Sequence, residues 1–252
     1  MKRTGRPPRR WLSLPALLPL LALPAAAAPL SAQDFLFRDP RVTLGVRFGY
    51  AVPTASSDIF DDTRDLLTVE RSDFNSAVWA TQLAVRVTPR VDVALDVGFM
   101  RASKHSEFRH WVDTDDRPIE QITGFDRTPV TLGAKMYFRD RGRSIGRFAW
   151  IPERWAPYVG AGAGYTWYRF EQDGDFVDFE TLDIFPDRFV SEGKAATVYG
   201  AIGAEFSLGR SLLLTADGRY TWARGEMGSD FVDFDRMDLS GFQASAGLSI
   251  RF

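Results

Sequence analysis

At 252 residues and 45% hydrophobic, the chain can bury one sizeable core, and an all-β barrel of this length needs no second domain. Charged residues are 25% and aromatics 13%, which excludes a disordered chain and a helical membrane protein. Cysteine is absent, so disulfides, thiol catalysis and cysteine-ligated zinc are excluded, while the compartment stays open on redox grounds.

Residues 1–32 differ from everything after them. "MKRTGRPPRR" is basic, "WLSLPALLPLLALPAAAA" is apolar, and Ala32 closes a small-residue stretch suited to cleavage. This order predicts a secretory signal peptide. A retained membrane helix fits less well, because Pro15, Pro19 and Pro24 interrupt the run. The segment holds five basic residues and no acid, so residues 33–252 keep 26 bases against 33 acids, a balance of −7. An acidic chain is a poor partner for nucleic acid.

After residue 40 the hydrophobic period is two. In "VTLGVRFGYAV", Val42, Leu44, Val46, Phe48, Tyr50 and Val52 share one face and Thr43, Gly45, Arg47, Gly49 and Ala51 the other, a sorting that no helical period produces. The same alternation predicts strands at 78–88, 91–101, 129–138, 156–170, 195–208, 211–222 and 240–252. Pro129 and Pro157 fall near strand starts, where a missing N–H is tolerated. "TPR" and "GR" are short turns at one end; longer Asp-, Ser- and Thr-rich stretches join the strands at the other. The connection 139–155, "RDRGRSIGRFAWIPERW", is long where a short turn belongs, and the alternation gives no account of it.

Two barrels produce such strands: a soluble one with its apolar face inward and a membrane one with that face outward. Bulk decides. The polar faces carry Gly45, Gly49, Gly98, Gly133, Gly160, Gly162, Gly164, Gly203 and Gly247, which suit the crowded inside of a narrow tube. The large side chains then face hydrocarbon, where each unpaired backbone group costs several kcal/mol and only closure pairs them all. The predicted fold is therefore an all-β, eight-stranded antiparallel up-and-down transmembrane β-barrel over residues 33–252. Aromatics gather at both strand ends, with Tyr50, Trp79, Phe99, Trp167, Tyr220, Trp222 and Phe242 at one level and Phe138, Trp155, Phe206 and Phe252 at the other. Two girdles are what lipid interfaces favour.

The stretches "PYVGAGAGY" at 157–165, "DGRY" at 217–220 and "SIRF" at 249–252, with the eight-strand layout, resemble the small bacterial outer-membrane β-barrel superfamily that includes OmpW, OmpX and the OmpA membrane domain. Leu248, Ile250 and Phe252, apolar at alternate positions with a final aromatic, resemble the signal read by the barrel-assembly machinery. The resemblance implies export to the bacterial outer membrane, with phospholipid and lipopolysaccharide as surroundings. OmpW-like members look like conduits for small apolar molecules with hydrophobic interiors, and this chain departs from that pattern. Its inward positions include Arg47, Arg86, Asp92, Asp96, Lys135, Glu205, Asp217, Arg219 and Arg251, which in a narrow bore pair into a polar plug. Arg86 and Asp92, symmetric about Pro89, are the most specific expected pair.

The expected role is structural or surface-interacting, with acidic loops outside and a surface partner not identified by the residues; the alternative is a narrow porin-like channel for small solutes or small apolar molecules. "DFVDF" occurs at 175–179 and 230–234 and reads as hairpin strands continuing into water. No cofactor, metal or catalytic residue is expected. His105 and Ser106 are consecutive, so on a strand they point to opposite faces, poor geometry for a base and its nucleophile.

Overall fold

In the computed structural model, which describes residues 36–146 and 149–252, the alternating segments form eight strands, and the predicted signal peptide at 1–32 lies outside the described residues. The strands are β1 (Val42–Pro53), β2 (Ser76–Thr88), β3 (Val91–Val112) and β4 (Pro118–Tyr137). They continue as β5 (Trp155–Val177), β6 (Ile184–Ser207), β7 (Leu212–Gly225) and β8 (Gly241–Arg251). Each pairs antiparallel with its neighbours in sequence, and β8 pairs with β1 from Pro53↔Gly241 to Thr43↔Arg251, so the sheet closes into a barrel.

The side-chain period places the bulk outside, as expected. Leu44, Val46, Phe48, Leu83, Leu95, Leu132, Ile202, Leu248 and Ile250 are exposed, whereas Gly45, Arg47, Gln82, Asp96, Thr131 and Ser249 are buried. A wall of this composition is stable only against hydrocarbon, and closure leaves no sheet edge unpaired within it. Trp79 packs edge-to-face on Phe48 at 4.1 Å and Trp222 on Tyr220 at 4.8 Å, within the girdle at the loop end. At the other end Phe138, Trp155, Phe206 and Phe252 stand exposed. Leu132, 58% exposed and flanked in register by Leu95 and Ala163, lies well inside the apolar belt. Leu132→Arg is expected to lower the unfolding free energy in phospholipid vesicles by about 2–4 kcal/mol, read by urea titration; an unchanged midpoint would place this face outside the hydrocarbon.

Strands β3 to β6 run well past the predicted ends. β3 and β4 continue as a hairpin to a tip at 113–117, and β5 and β6 to a tip at 178–183. Much of the second and third long connections is thus ladder, and the first "DFVDF" continues β5 to Val177. The second copy does not: Ser229–Phe231 is a 3₁₀ turn with Phe231 buried.

The first long connection holds a helix that the period-two reading missed, α1 (Asp58–Leu66). Asp58 accepts a hydrogen bond from the Ile59 N–H at 2.9 Å and sits at the positive helix end, and Arg64 sits in the last turn. Ile59, Phe60 and Thr63 form its buried face. With Phe74, Phe108, Phe125, Phe170, Phe231 and Leu239 this face makes one apolar core beneath the loops. Phe60 lies at its centre, edge-to-face with Phe74, Phe125 and Phe170 at 4.8, 5.3 and 5.8 Å.

The unexplained connection after β4 is also ordered. Gly142–Ile145 and Ala149–Pro152 form a small antiparallel hairpin across the turn end. Trp150 is buried in it, and its backbone N–H and carbonyl exchange hydrogen bonds with Leu36 at 2.8 and 2.9 Å. Gly142 is required there, because an added Cβ would run into the Trp150 indole.

Candidate functional site

The inward charges pair in layers. In the middle, Arg47 on β1 reaches across the bore and ion-pairs with both Asp96 on β3 and Asp217 on β7. Its register partners are Ala80 and Gly247, small residues that leave room for the guanidinium. A Cβ at Gly247 would collide with the Val46 carbonyl, so this approach of β8 to β1 needs glycine. Asp96 also accepts two hydrogen bonds from Gln82 Nε2, each 3.0 Å, and pairs with Arg219 at 3.2 Å. Asp217 accepts from Ser245 Oγ at 2.7 Å and Tyr158 Oη at 3.2 Å. Gln82↔Asp96 and Ser245↔Asp217 are direct cross-strand partners, so the register itself delivers the donors. Arg219 stacks on the Tyr199 ring at 4.0 Å.

A second layer lies toward the turn end. Arg141, just before the small hairpin, grips Asp92 with two parallel hydrogen bonds of 2.6 Å and lies 4.4 Å from the Tyr137 ring centroid. Tyr137 donates to Glu205 at 2.7 Å, and Lys135 reaches the same oxygen at 3.5 Å while sitting 4.5 Å from the Tyr158 ring centroid. Trp150 closes the layer, with the Arg251 guanidinium 4.8 Å from its ring centroid.

Seven of the nine anticipated lumen residues therefore meet in two clusters: Arg47, Asp96, Asp217 and Arg219 in one, Asp92, Lys135 and Glu205 in the other. Arg86 joins neither, and Arg251 meets the second only through the Trp150 ring. Arg86 and Asp92 are opposite in register, yet Arg86 pairs with Asp39 while Asp92 is taken by Arg141. This corrects the expected pair: Arg86 stands next to the turn, where its long side chain reaches the half-exposed Asp39 instead. Arg251 instead holds the β6–β7 turn, donating to the Arg210 carbonyl at 2.9 Å and the Gly209 carbonyl at 3.1 Å. The alternation sets Gln82 on the polar face without assigning it to the network; sequence reasoning missed Tyr158 and Ser245, which the same alternation puts inward, and Arg141 and Trp150, whose only signal was a long connection containing a tryptophan.

At the loop end the apolar core caps the bore. Among its acidic neighbours, burial, with Asp65 and Asp58 nearby, raises the Asp62 carboxyl above its ordinary value. Burial also pushes Asp238 up, but hydrogen bonds from Ser240 and Ser56 outweigh it and hold that carboxyl below the usual range. His105 is exposed with Nε2 3.5 Å from Glu120, while Ser106 is buried and donates to the Gln121 carbonyl, so the two side chains face apart. Among the described residues no group of histidines and carboxylates is placed to hold a metal ion.

A closed ring of eight antiparallel strands with an apolar outer belt and a charged bore defines the chain as a small transmembrane β-barrel. One solved structure shares that fold at a TM-score above 0.5, and others are similar below it. The outer membrane protein OprG from Pseudomonas aeruginosa matches with a TM-score of 0.51 at 12% identity, over 85% of this chain and 97% of that one. Neisserial surface protein A gives 0.48 at 13% identity, over 84% and 96%, and Escherichia coli outer membrane protein W gives 0.41 at 17%, over 85% and 99%. No protein-family model and no curated protein matches the chain.

Proposed function

We propose that residues 33–252 form a surface-presenting barrel of the bacterial outer membrane with a sealed lumen, and that its role is structural and interactive rather than conductive. In this reading residues 1–32 are a signal peptide removed on export. Leu248, Ile250 and Phe252 present the chain to the barrel-assembly machinery, and the belt sits among phospholipid and lipopolysaccharide. The observation that supports the reading is the pairing of the inward charges, Arg47 with Asp96 and Asp217 in one layer and Arg141 with Asp92 in the other, with the buried Trp150 at one end and the aromatic cluster at the other. An eight-stranded interior is just wide enough for such side chains.

What remains for an outside partner is the pair of long hairpins. Trp111 and Phe179 touch at 5.8 Å near their tips, and Val112 and Leu182 are more than half exposed beside them. Contiguous apolar surface far from the lipid belt marks a contact site. The second reading, passage of small apolar molecules, is favoured by a cleft of about 190 Å³ in the cap, lined by Leu66, Phe108, Phe176, Phe231 and Phe234. One experiment separates the two. Purified protein in planar bilayers and liposomes is expected to give no conductance steps and no uptake of small polar solutes or of an apolar tracer. Polar flux would overturn the sealed-barrel reading, and apolar flux alone would establish the second.

A further inference from the structure

Between the central ion layer and the apolar cap lies a cavity of about 30 Å³, walled by Arg127, Arg219, Thr131, Thr166, Thr197 and Gln243 among others. Its polar groups are unequally satisfied. Thr166 and Thr197 bond to each other at 2.8 Å. Arg127, 4% exposed, has neither Nε nor Nη2 hydrogen-bonded among the described residues, and its guanidinium rests 4.8 Å from the Phe125 ring centroid. Arg219 uses one arm on Asp96, but its Nε is buried without a partner, as is Thr131 Oγ1. Three residues that line one small cavity thus carry buried polar atoms without a hydrogen-bond partner among the described residues.

The charge at Arg127 is equally uncompensated. The carboxylate whose field reaches it is Asp238, and that group is committed elsewhere, accepting from Ser56 Oγ at 2.8 Å and the Ser240 N–H at 3.0 Å. A guanidinium does not shed its proton in a protein, so this buried charge cannot neutralise itself. Water would satisfy the donors yet leave the charge unpaired, and a buried unpaired ion is strongly unfavourable. The space admits one or two water-sized bodies, which excludes a tetrahedral oxyanion.

We propose that this chamber binds a halide-sized monovalent anion, held by Arg127 and Arg219 with the Thr131 hydroxyl as third donor. Its place between the ion layer and the cap makes the anion part of the folded barrel.

The test refolds the full chain into vesicles or detergent in sodium bromide and, at matched ionic strength, in sodium gluconate. Crystals of the bromide form are expected to show an anomalous peak beside Arg127, and the urea midpoint is expected to be higher in bromide. Arg127→Met should abolish both the peak and the bromide dependence. A cavity holding only water, or an equal bromide effect in Arg127→Met, would overturn the proposal. Should that variant not fold, Thr131→Val and the wild-type anomalous map decide it: a peak that weakens supports the site, and no wild-type peak removes it.

Discussion

Replacement of Arg47 by leucine is expected to cost about 3–5 kcal/mol of unfolding free energy in phospholipid vesicles, read by urea titration of tryptophan fluorescence. The loss comes from what remains rather than from what goes. Asp96 would keep Arg219 and both Gln82 hydrogen bonds, but Asp217 would keep only the hydroxyls of Ser245 and Tyr158 and would be a buried carboxylate without a cation among its described partners. Adding Asp217→Asn to Arg47→Leu should therefore recover more than half the loss, whereas adding Asp96→Asn should recover little. Equal recovery by the two asparagines would show that the cluster does not divide its charge as the contacts imply.

Phe60→Ala is expected to remove a comparable amount, about 3–5 kcal/mol, but from a different part of the molecule. Phe60 is fully buried against three aromatic rings, and neighbours drawn from separate loops and strands cannot collapse into the space it leaves. Because the cap lies beyond the lipid belt, its opening need not open the barrel. Hydrogen exchange should rise by about a hundredfold or more over 58–74 and 229–239, with β1, β2, β7 and β8 unchanged within the belt. A uniform rise across those strands would show that cap and barrel unfold as one.

The barrel was legible because its wall obeys one rule. Wherever hydrocarbon meets one face and a narrow bore the other, residues must alternate, and the segments around Phe48, Leu95, Leu132 and Leu248 announce strand, facing and closure together. The lumen was half legible. Alternation shows that Arg47, Asp96 and Asp217 point inward, but which charges meet depends on barrel stagger and side-chain reach, and Arg86 failed the expectation for that reason. The cap and the small hairpin were not legible. Outside the belt no lipid enforces a period: Phe60 follows helical spacing, Phe231 a 3₁₀ turn, and Trp150 is buried by its partners Leu36 and Arg251, distant in sequence. Repetition of "DFVDF" misled because the same five residues serve a strand at one site and a turn at the other, as context dictates.

The extended hairpins carry one more implication. A strand of 23 residues such as β5, at about 3.3 Å per residue and a tilt of about 40°, stands nearly 60 Å tall, about twice the apolar band of such barrels. The tips at 113–117 and 178–183 are therefore the parts of the chain farthest from the girdle. Variation at those turns carries little risk to the part of the chain anchored below, so the outermost chemistry and the architectural integrity are free to change separately.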